Sequence, residues 1–171
     1  MVSQVRTRFA PSPTGYMHVG NLRTALFNAL YAYQQGGLFY LRIEDTDIAR
    51  STETFAESIK EDLAFMGLSY SGVPVVQSER NDIYADYYTK LIDQDLAYPC
   101  YCTEVELAVA RKTQLSAGIA PRYSGACKHL TKAAVAQKEA AGIKPSLRLR
   151  VPENQPILFD DAVFGPKQFS T

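Results

Sequence analysis

The chain has 171 residues, 46% of them hydrophobic, and its Lys+Arg and Asp+Glu counts are both 18. That length holds one ordinary domain with a real core plus a small insertion, and a formal net charge of zero removes any bulk electrostatic case for nucleic-acid binding. No run of roughly 18 apolar residues occurs, and Met1 to Thr7 lack the apolar centre of a signal peptide, so neither a membrane span nor secretion is expected and the compartment reads as cytoplasmic.

Val5 to Ala10 reads as a short strand. Pro11-Ser12-Pro13-Thr14-Gly15 interrupts it, because the two prolines fix φ and remove backbone donors. From Asn21 the pattern turns helical, with Leu22, Ala25, Leu26, Ala29, Leu30 and Tyr33 recurring at helical spacing until Gly36-Gly37. Leu38 to Ile43 is a mostly apolar run, expected of a strand buried on both faces. Strand, helix and strand in this order predict a parallel βαβ unit. Ser51 or Thr52 can cap the next helix, whose apolar positions are Phe55, Ile59, Leu63 and Met66 and which Gly67 closes.

Val75-Val76 follows as a short apolar segment, and Ser78 precedes a helix with Ile83, Tyr84, Tyr87, Tyr88, Leu91 and Ile92 on one broad face. That aromatic face reads as core in preference to a base-stacking surface. Thr103-Glu104-Val105-Glu106 is a capping box opening a helix to about Leu115, and Thr131 caps Lys132 to Ala141, which ends at Gly142. Ser146 to Val151 and Ile157 to Phe159 read as strands. The expected organisation is α/β over residues 1–97, a mixed α+β insertion over 98–155, and a further short stretch over 156–171.

The string Arg8 to Arg23 lies at a strand-to-helix junction, where an open parallel sheet binds ligands. Unpaired N–H groups at a helix start attract anions. Gly15 and Gly20 allow close approach to the backbone, and His18 stands at the mouth of the helix. The plainer reading is a rigid proline-rich loop with a surface histidine.

The whole string weighs against that plainer reading. His18-Val19-Gly20-Asn21 resembles the His-Ile-Gly-His signature of class I aminoacyl-tRNA synthetases, with Asn21 in place of the final histidine. Ala10-Pro11-Ser12-Pro13-Thr14-Gly15 resembles the bacterial glutamyl branch, and the likeness continues through Leu41-Arg42-Ile43-Glu44-Asp45-Thr46-Asp47 to Arg50, and again at Phe159-Asp160-Asp161 and Gly165-Pro166. The resemblance implies a Rossmann-like class I catalytic domain. Its parent would activate glutamate with ATP and Mg2+ to glutamyl-adenylate, then transfer the acyl group to the 3′ end of tRNA(Glu). It implies ATP contacts from Ala10, His18, Gly20 and Asn21, with His18 catalytic as a donor to the α-phosphate. It further implies glutamate contacts from Arg8, Ser12 and Glu44, and a tRNA contact from Arg50. Arg8 is a planar fork suited to a carboxylate. By itself it reads equally as a solvated strand-edge charge, and Glu44 to Asp47 as an ordinary acidic turn.

All three cysteines and one of the two histidines of the chain lie in Cys100-Tyr101-Cys102 and Cys127-Lys128-His129. Two close pairs separated by a helix-bearing loop fit a structural Zn2+ held by Cys100, Cys102, Cys127 and His129. The plainer reading is three buried thiols and a surface histidine. Bacterial glutamyl synthetases resemble the metal-binding pattern. A related glutamyl-queuosine enzyme makes Tyr123 a rival to His129, since it pairs a Tyr and a Cys four apart. The metal would staple an acceptor-stem-binding insertion.

No Lys-Met-Ser-Lys-Ser-type motif is present, so the chain reads as a truncated piece that does not charge tRNA. The parent is expected to be a monomer, and the piece to self-associate through its uncovered sheet edge. The competing readings are a glutamyl-queuosine tRNA(Asp) synthetase and a non-catalytic zinc-stapled RNA- or protein-binding module.

Overall fold

In the computed structural model, residues 4–153 and 155–170 are described; Met1–Ser3, Asn154 and Thr171, which fall inside or at the ends of the expected segments, lie outside the described residues. The chain divides into two compact units, 1–84 and 85–171. In the first, β1 (Arg6–Phe9), α1 (Val19–Gln34), β2 (Leu38–Ile43), α2 (Glu53–Phe65) and β3 (Val75–Val76) alternate. The sheet order is β1-β2-β3 and both pairings are parallel, with Arg8 opposite Tyr40 and Ile43 opposite Val76. Right-handed crossovers between strands laid side by side in chain order place α1 and α2 on one face of the sheet.

That face holds the core: Phe9, Phe39, Leu41 and Ile43 from the strands, Ala25, Ala29 and Ala32 from α1, and Ile59 and Leu63 from α2. β2 is therefore buried on one face and half-buried on the other, where Leu38, Tyr40 and Arg42 lie, instead of being buried on both. α1 and α2 pack against the first of these faces, so side chains alternate in coverage. α1 meets the sheet through its three alanines, which let the backbones approach closely. Its larger Leu30 and Tyr33, which recur at the same helical spacing, are 51% and 44% exposed. Gly37 belongs to the same close packing: a Cβ there would lie 2.4 Å from the Val5 carbonyl oxygen.

α2 is capped by Thr52, whose hydroxyl accepts the Phe55 N–H at 3.2 Å. It ends where Gly67 takes φ +69° and Leu68 N–H reaches back to the Leu63 carbonyl at 2.9 Å, a Schellman closure. The polypeptide then runs through β3 and a 3-10 turn (Ser78–Arg80) into α3 (Asn81–Asp93), which buries no residue. The aromatic face read as core is exposed: Tyr87 is 60% and Tyr88 51% accessible. Helical periodicity reports an apolar face and not what covers it.

Asp45, just past β2, accepts both the backbone N–H (2.9 Å) and the hydroxyl of Ser78, and so fixes the start of the 3-10 turn and α3. Burial pushes its carboxyl up, but the Ser78 hydrogen bonds outweigh this and hold it below the usual aspartate value. A folded-state value lowered in this way stabilises the fold above the unfolded value, and the benefit disappears as pH falls through the folded one. Asp45→Ala is expected to cost about 1 kcal/mol at neutral pH. Its urea midpoint should converge with that of the parent chain in acid, and a deficit unchanged at low pH would contradict this role.

In the second unit, β4 (Ala97–Cys100) pairs antiparallel with β5 (Ser146–Leu149), and β6 (Pro156–Asp161) pairs antiparallel with β7 (Gly165–Ser170). Between β4 and β5 lie α4 (Glu104–Ser116) and α5 (Lys132–Ala140). α4 carries the expected capping box, with Glu106 N–H donating to the Thr103 hydroxyl at 3.2 Å and Thr103 N–H to the Glu106 carboxylate at 2.7 Å. α5 is capped by Thr131. The core here is small: Tyr98, Cys100, Tyr101 and Cys127 are buried, with Tyr123, Leu130, Val135 and Ile143 packed around them.

Candidate active-site cavity and thiol cluster

The proline-rich turn after β1 is held by its acceptors. Pro11 and Pro13 have no N–H to satisfy, and both are buried. The Pro11 carbonyl accepts the Glu44 N–H at 2.9 Å, and the Pro13 carbonyl accepts the Thr52 N–H at 3.1 Å. The end of β2 and the head of α2 are thereby pinned to the loop that follows β1. This loop walls a cavity of about 500 Å³ at the carboxyl end of β1. Arg8, Ala10, Ser12, His18 and Asn21 all line it, together with Thr14, Gly15, Tyr16 and Thr24.

Glu44 does not line that cavity, although its backbone is bound to the cavity wall. Its carboxylate accepts from Arg42 Nε at 3.3 Å, and Arg42 also donates through Nη2 to the Tyr84 hydroxyl at 2.8 Å. The Tyr84 hydrogen bond, and after it Glu44, hold the Arg42 guanidinium more firmly in its charged form. Sequence reading overlooked Arg42; the available signal was its place two residues before Glu44, on the same side of the strand. Arg50, expected to meet tRNA, is 71% exposed in its side chain and donates through Nε to Asp47 at 2.7 Å. The acidic turn is thus already divided among partners: Glu44 to Arg42, Asp45 to Ser78, Asp47 to Arg50.

The head of α1 differs from the expectation of a helix start with free N–H groups. Gly20 N–H donates to His18 Nδ1 at 3.0 Å, and the N–H groups of Asn21 and Leu22 donate to the His18 carbonyl at 2.9 and 3.2 Å. The helix begins at Val19, two residues before the apolar pattern, because His18 acts as its N-cap. Sequence reading had no signal for this, since histidine is not a usual capping residue.

In the second unit, β4 delivers Cys100 and the residues after it deliver Cys102. The turn before Thr131 brings in Cys127. The three Sγ atoms all lie within 4.8 Å of one another. Cys102 and Cys127 are 3.6 Å apart, the Tyr123 hydroxyl lies 3.1 Å from Cys100 Sγ and 3.5 Å from Cys102 Sγ, and the Cys127 N–H donates to that hydroxyl at 3.1 Å. His129 is exposed and does not join the group. The ligand–ligand edges of a tetrahedral zinc site with thiolate and oxygen donors are about 3.5–3.8 Å, from the usual metal–ligand lengths. The three thiols lie close enough together to hold a metal ion, with the Tyr123 hydroxyl nearer to Cys100 than a tetrahedral edge. Burial pushes the Cys100 thiol up, but hydrogen bonds from Tyr123 and Arg148 outweigh it and bring it down to about 6. Burial, together with the neighbouring thiols, pushes the Tyr123 hydroxyl up. The Arg148 guanidinium lies 3.8 Å from the Tyr123 ring centroid, so the cluster has a cation against it.

A parallel strand–turn–helix–strand unit with its cavity at the strand carboxyl ends defines an α/β protein with its ligand site at the sheet edge. The family model for class I tRNA synthetases (E and Q), catalytic domain, matches residues 4–171, and the chain belongs to that family. It is 47% identical to a glutamate–tRNA ligase of Coxiella burnetii (strain RSA 331 / Henzerling II) over 98% of its own length and 38% of the relative's. It is 48% identical to that of Bacillus licheniformis over 100% of its own length and 37% of the relative's. The crystal structure of a glutamate tRNA ligase from Elizabethkingia meningosepticum, in complex with its amino acid, superposes with a TM-score of 0.85 at 32% identity, covering 98% of this chain and 36% of that one. The chain therefore spans less than two-fifths of the relatives it matches. Among the described residues, no helix is long and apolar enough to cross a membrane.

Proposed function

We propose that this chain carries the glutamate- and ATP-binding half of a glutamate–tRNA ligase active site. The observation that supports it best is the single cavity gathering Arg8, Ala10, Ser12, His18 and Asn21 at the carboxyl end of β1. In this reading Arg8 grips the side-chain carboxylate of glutamate as a two-pronged donor. Ser12 contacts the same substrate and Glu44, steadied by Arg42, takes its ammonium. ATP, with Mg2+, lies along Ala10, Gly20 and Asn21. The glutamate α-carboxylate attacks the α-phosphorus and pyrophosphate leaves; the terminal tRNA hydroxyl then attacks the glutamyl carbonyl of the adenylate, taking the acyl group as AMP leaves. The protein's contribution to the first step is positioning and charge stabilisation, with the His18 ring N–H donating where negative charge builds. Arg50 sits beyond β2 as a contact for tRNA(Glu).

The thiol cluster is read as a structural zinc site held by Cys100, Cys102 and Cys127. Tyr123 is favoured over His129 as the fourth donor because its hydroxyl already stands among the thiols. Residues 98–155 would then be the zinc-bearing insertion that meets the acceptor stem, with 1–97 and 156–171 belonging to the catalytic domain.

Titrating glutamate into the 15N-labelled chain is expected to shift amide resonances at Arg8, Ser12 and Glu44, and titrating ATP those at Ala10, His18 and Gly20. Arg8→Ala removes a hydrogen bond to a charged group worth about 1.5–3 kcal/mol. Glutamate binding should therefore weaken roughly 10- to 150-fold while the ATP response persists. Unchanged glutamate affinity in that variant would sink the assignment.

A further inference from the structure

The residue at which this chain departs from the class I signature is Asn21, and the structure gives it a specific task. His18 sits at φ −110° and ψ 169°, outside the helix it caps. Its backbone N–H donates to Asn21 Oδ1 at 3.2 Å, while its own ring nitrogen Nδ1 accepts the Gly20 N–H at 3.0 Å. The two bonds form a reciprocal box: the side chain of residue 21 holds the backbone of residue 18, and the side chain of residue 18 holds the backbone two residues on. A histidine used in this way has a constrained proton. Nδ1 can accept only while unprotonated, so the neutral ring must carry its hydrogen on Nε2.

Gly20 is the third member. A Cβ at that position would stand 2.8 Å from His18 Cε1 and 2.9 Å from Nδ1, inside any tolerable contact, although nothing in the local backbone otherwise demands glycine. The missing side chain is what lets the imidazole lie back over the first turn. His18 and Asn21 both line the cavity at the end of β1. The first-turn N–H groups of Gly20, Asn21 and Leu22 are already engaged, and the imidazole is a further donor that this helix start can offer to an anion.

We propose that Asn21 and Gly20 are positioning residues for His18: together they hold its ring as the Nε2–H tautomer with Nδ1 committed to the helix backbone. As a statement about the ring this stands on geometry alone. As a statement about catalysis it rests on the ATP-binding reading above, in which that Nε2–H is the donor to the α-phosphate. It assigns residue 21 a supporting role that an acceptor side chain of the right length can perform, and that a ligand contact alone would not require.

The chain has two histidines, so long-range 1H–15N correlation spectra of the histidine-labelled protein at mildly alkaline pH resolve each ring, with His129→Gln to assign them. The expected result is one tautomer at His18, protonated on Nε2, against the averaged pattern of a free ring at His129. Gly20→Ala, a change that ordinarily favours a helix and so leaves the chain folded, should return His18 to the averaged pattern. Asn21→Ala should do so in part, and Asn21→Asp, which keeps the acceptor, should restore the single tautomer. A His18 ring protonated on Nδ1, or a Gly20→Ala spectrum indistinguishable from the parent chain, overturns the inference. Adding ATP separates the two claims. A single Nε2–H tautomer whose resonances ignore ATP supports the cap and defeats the ATP reading, whereas an ATP-responsive ring with mixed tautomers defeats the cap and leaves that reading standing.

Discussion

On the proposal that the thiol cluster holds a structural zinc, Cys127→Ala is expected to cost the 85–171 unit its metal and its folded structure together. The unit has little else to hold it: its core cluster is Tyr98, Cys100, Tyr101 and Cys127, and two of those four are thiols of the cluster itself. Small units with so little apolar burial usually need a staple. Zinc binding of this kind contributes on the order of 10 kcal/mol of folding free energy, far more than the remaining contacts supply. Zinc content by atomic absorption and near-ultraviolet dichroism of the tyrosines should fall in parallel in Cys127→Ala and in the chelator-treated parent chain. The same measurements decide the fourth donor. Tyr123→Phe should release zinc at lower chelator concentration, and His129→Ala should keep the parent's stoichiometry. Loss of zinc in His129→Ala with retention in Tyr123→Phe would return the site to the Cys-x-His pairing that the sequence suggests. A Cys127→Ala chain that melts like its parent would remove the structural metal altogether.

The readable parts of this molecule are those with local causes. Thr52, Thr103 and Thr131 each cap the helix that follows, as their side-chain chemistry dictates. β2 has the bounds that its apolar run predicts. The residues of the His18 string also converge on one cavity, because a strand–turn–helix junction leaves a turn of that length few ways to run. The unreadable parts depend on partners distant in sequence or on unusual chemistry. β4 escaped notice because Pro99 interrupts a short segment, and it is tolerated only because the pair β4-β5 leaves an edge free. β7 opens on Gly165-Pro166 and shows no strand pattern until Asp161 is seen opposite Gly165. Arg42 looked like one charge in a buried strand and is instead the link between Glu44 and Tyr84, the latter 42 positions away from it. The clustering of the three thiols was legible in the spacing of the cysteines, whereas spacing along the chain cannot tell that Tyr123 and not His129 folds in beside them.

Leu63→Ala should destabilise the 1–84 unit by about 2–5 kcal/mol, the range for emptying a fully buried leucine site. Leu63 is 0% exposed and packs in the core cluster with Phe39, Leu41 and Ile59, whereas Met66, on the same sequence-predicted stripe, is 40% exposed and Phe65 is 90% exposed. Met66→Ala should therefore cost well under the Leu63 value, and Phe65→Ala should fall within about 0.5 kcal/mol of zero, as expected for a surface change. The chain contains no tryptophan, so far-ultraviolet dichroism in urea is the appropriate probe. The consequence reaches the cavity, because Thr52 at the head of α2 donates to the Pro13 carbonyl, and a loosened α2 releases one of the two backbone bonds that shape the proline-rich turn. Leu63→Ala is accordingly expected to broaden the amide resonances of Thr14 and Gly15 even in the folded state, which Phe65→Ala should leave sharp. Equal losses from the three substitutions would mean that α2 is held by its general helix propensity, and not by the buried row that ties it to the sheet.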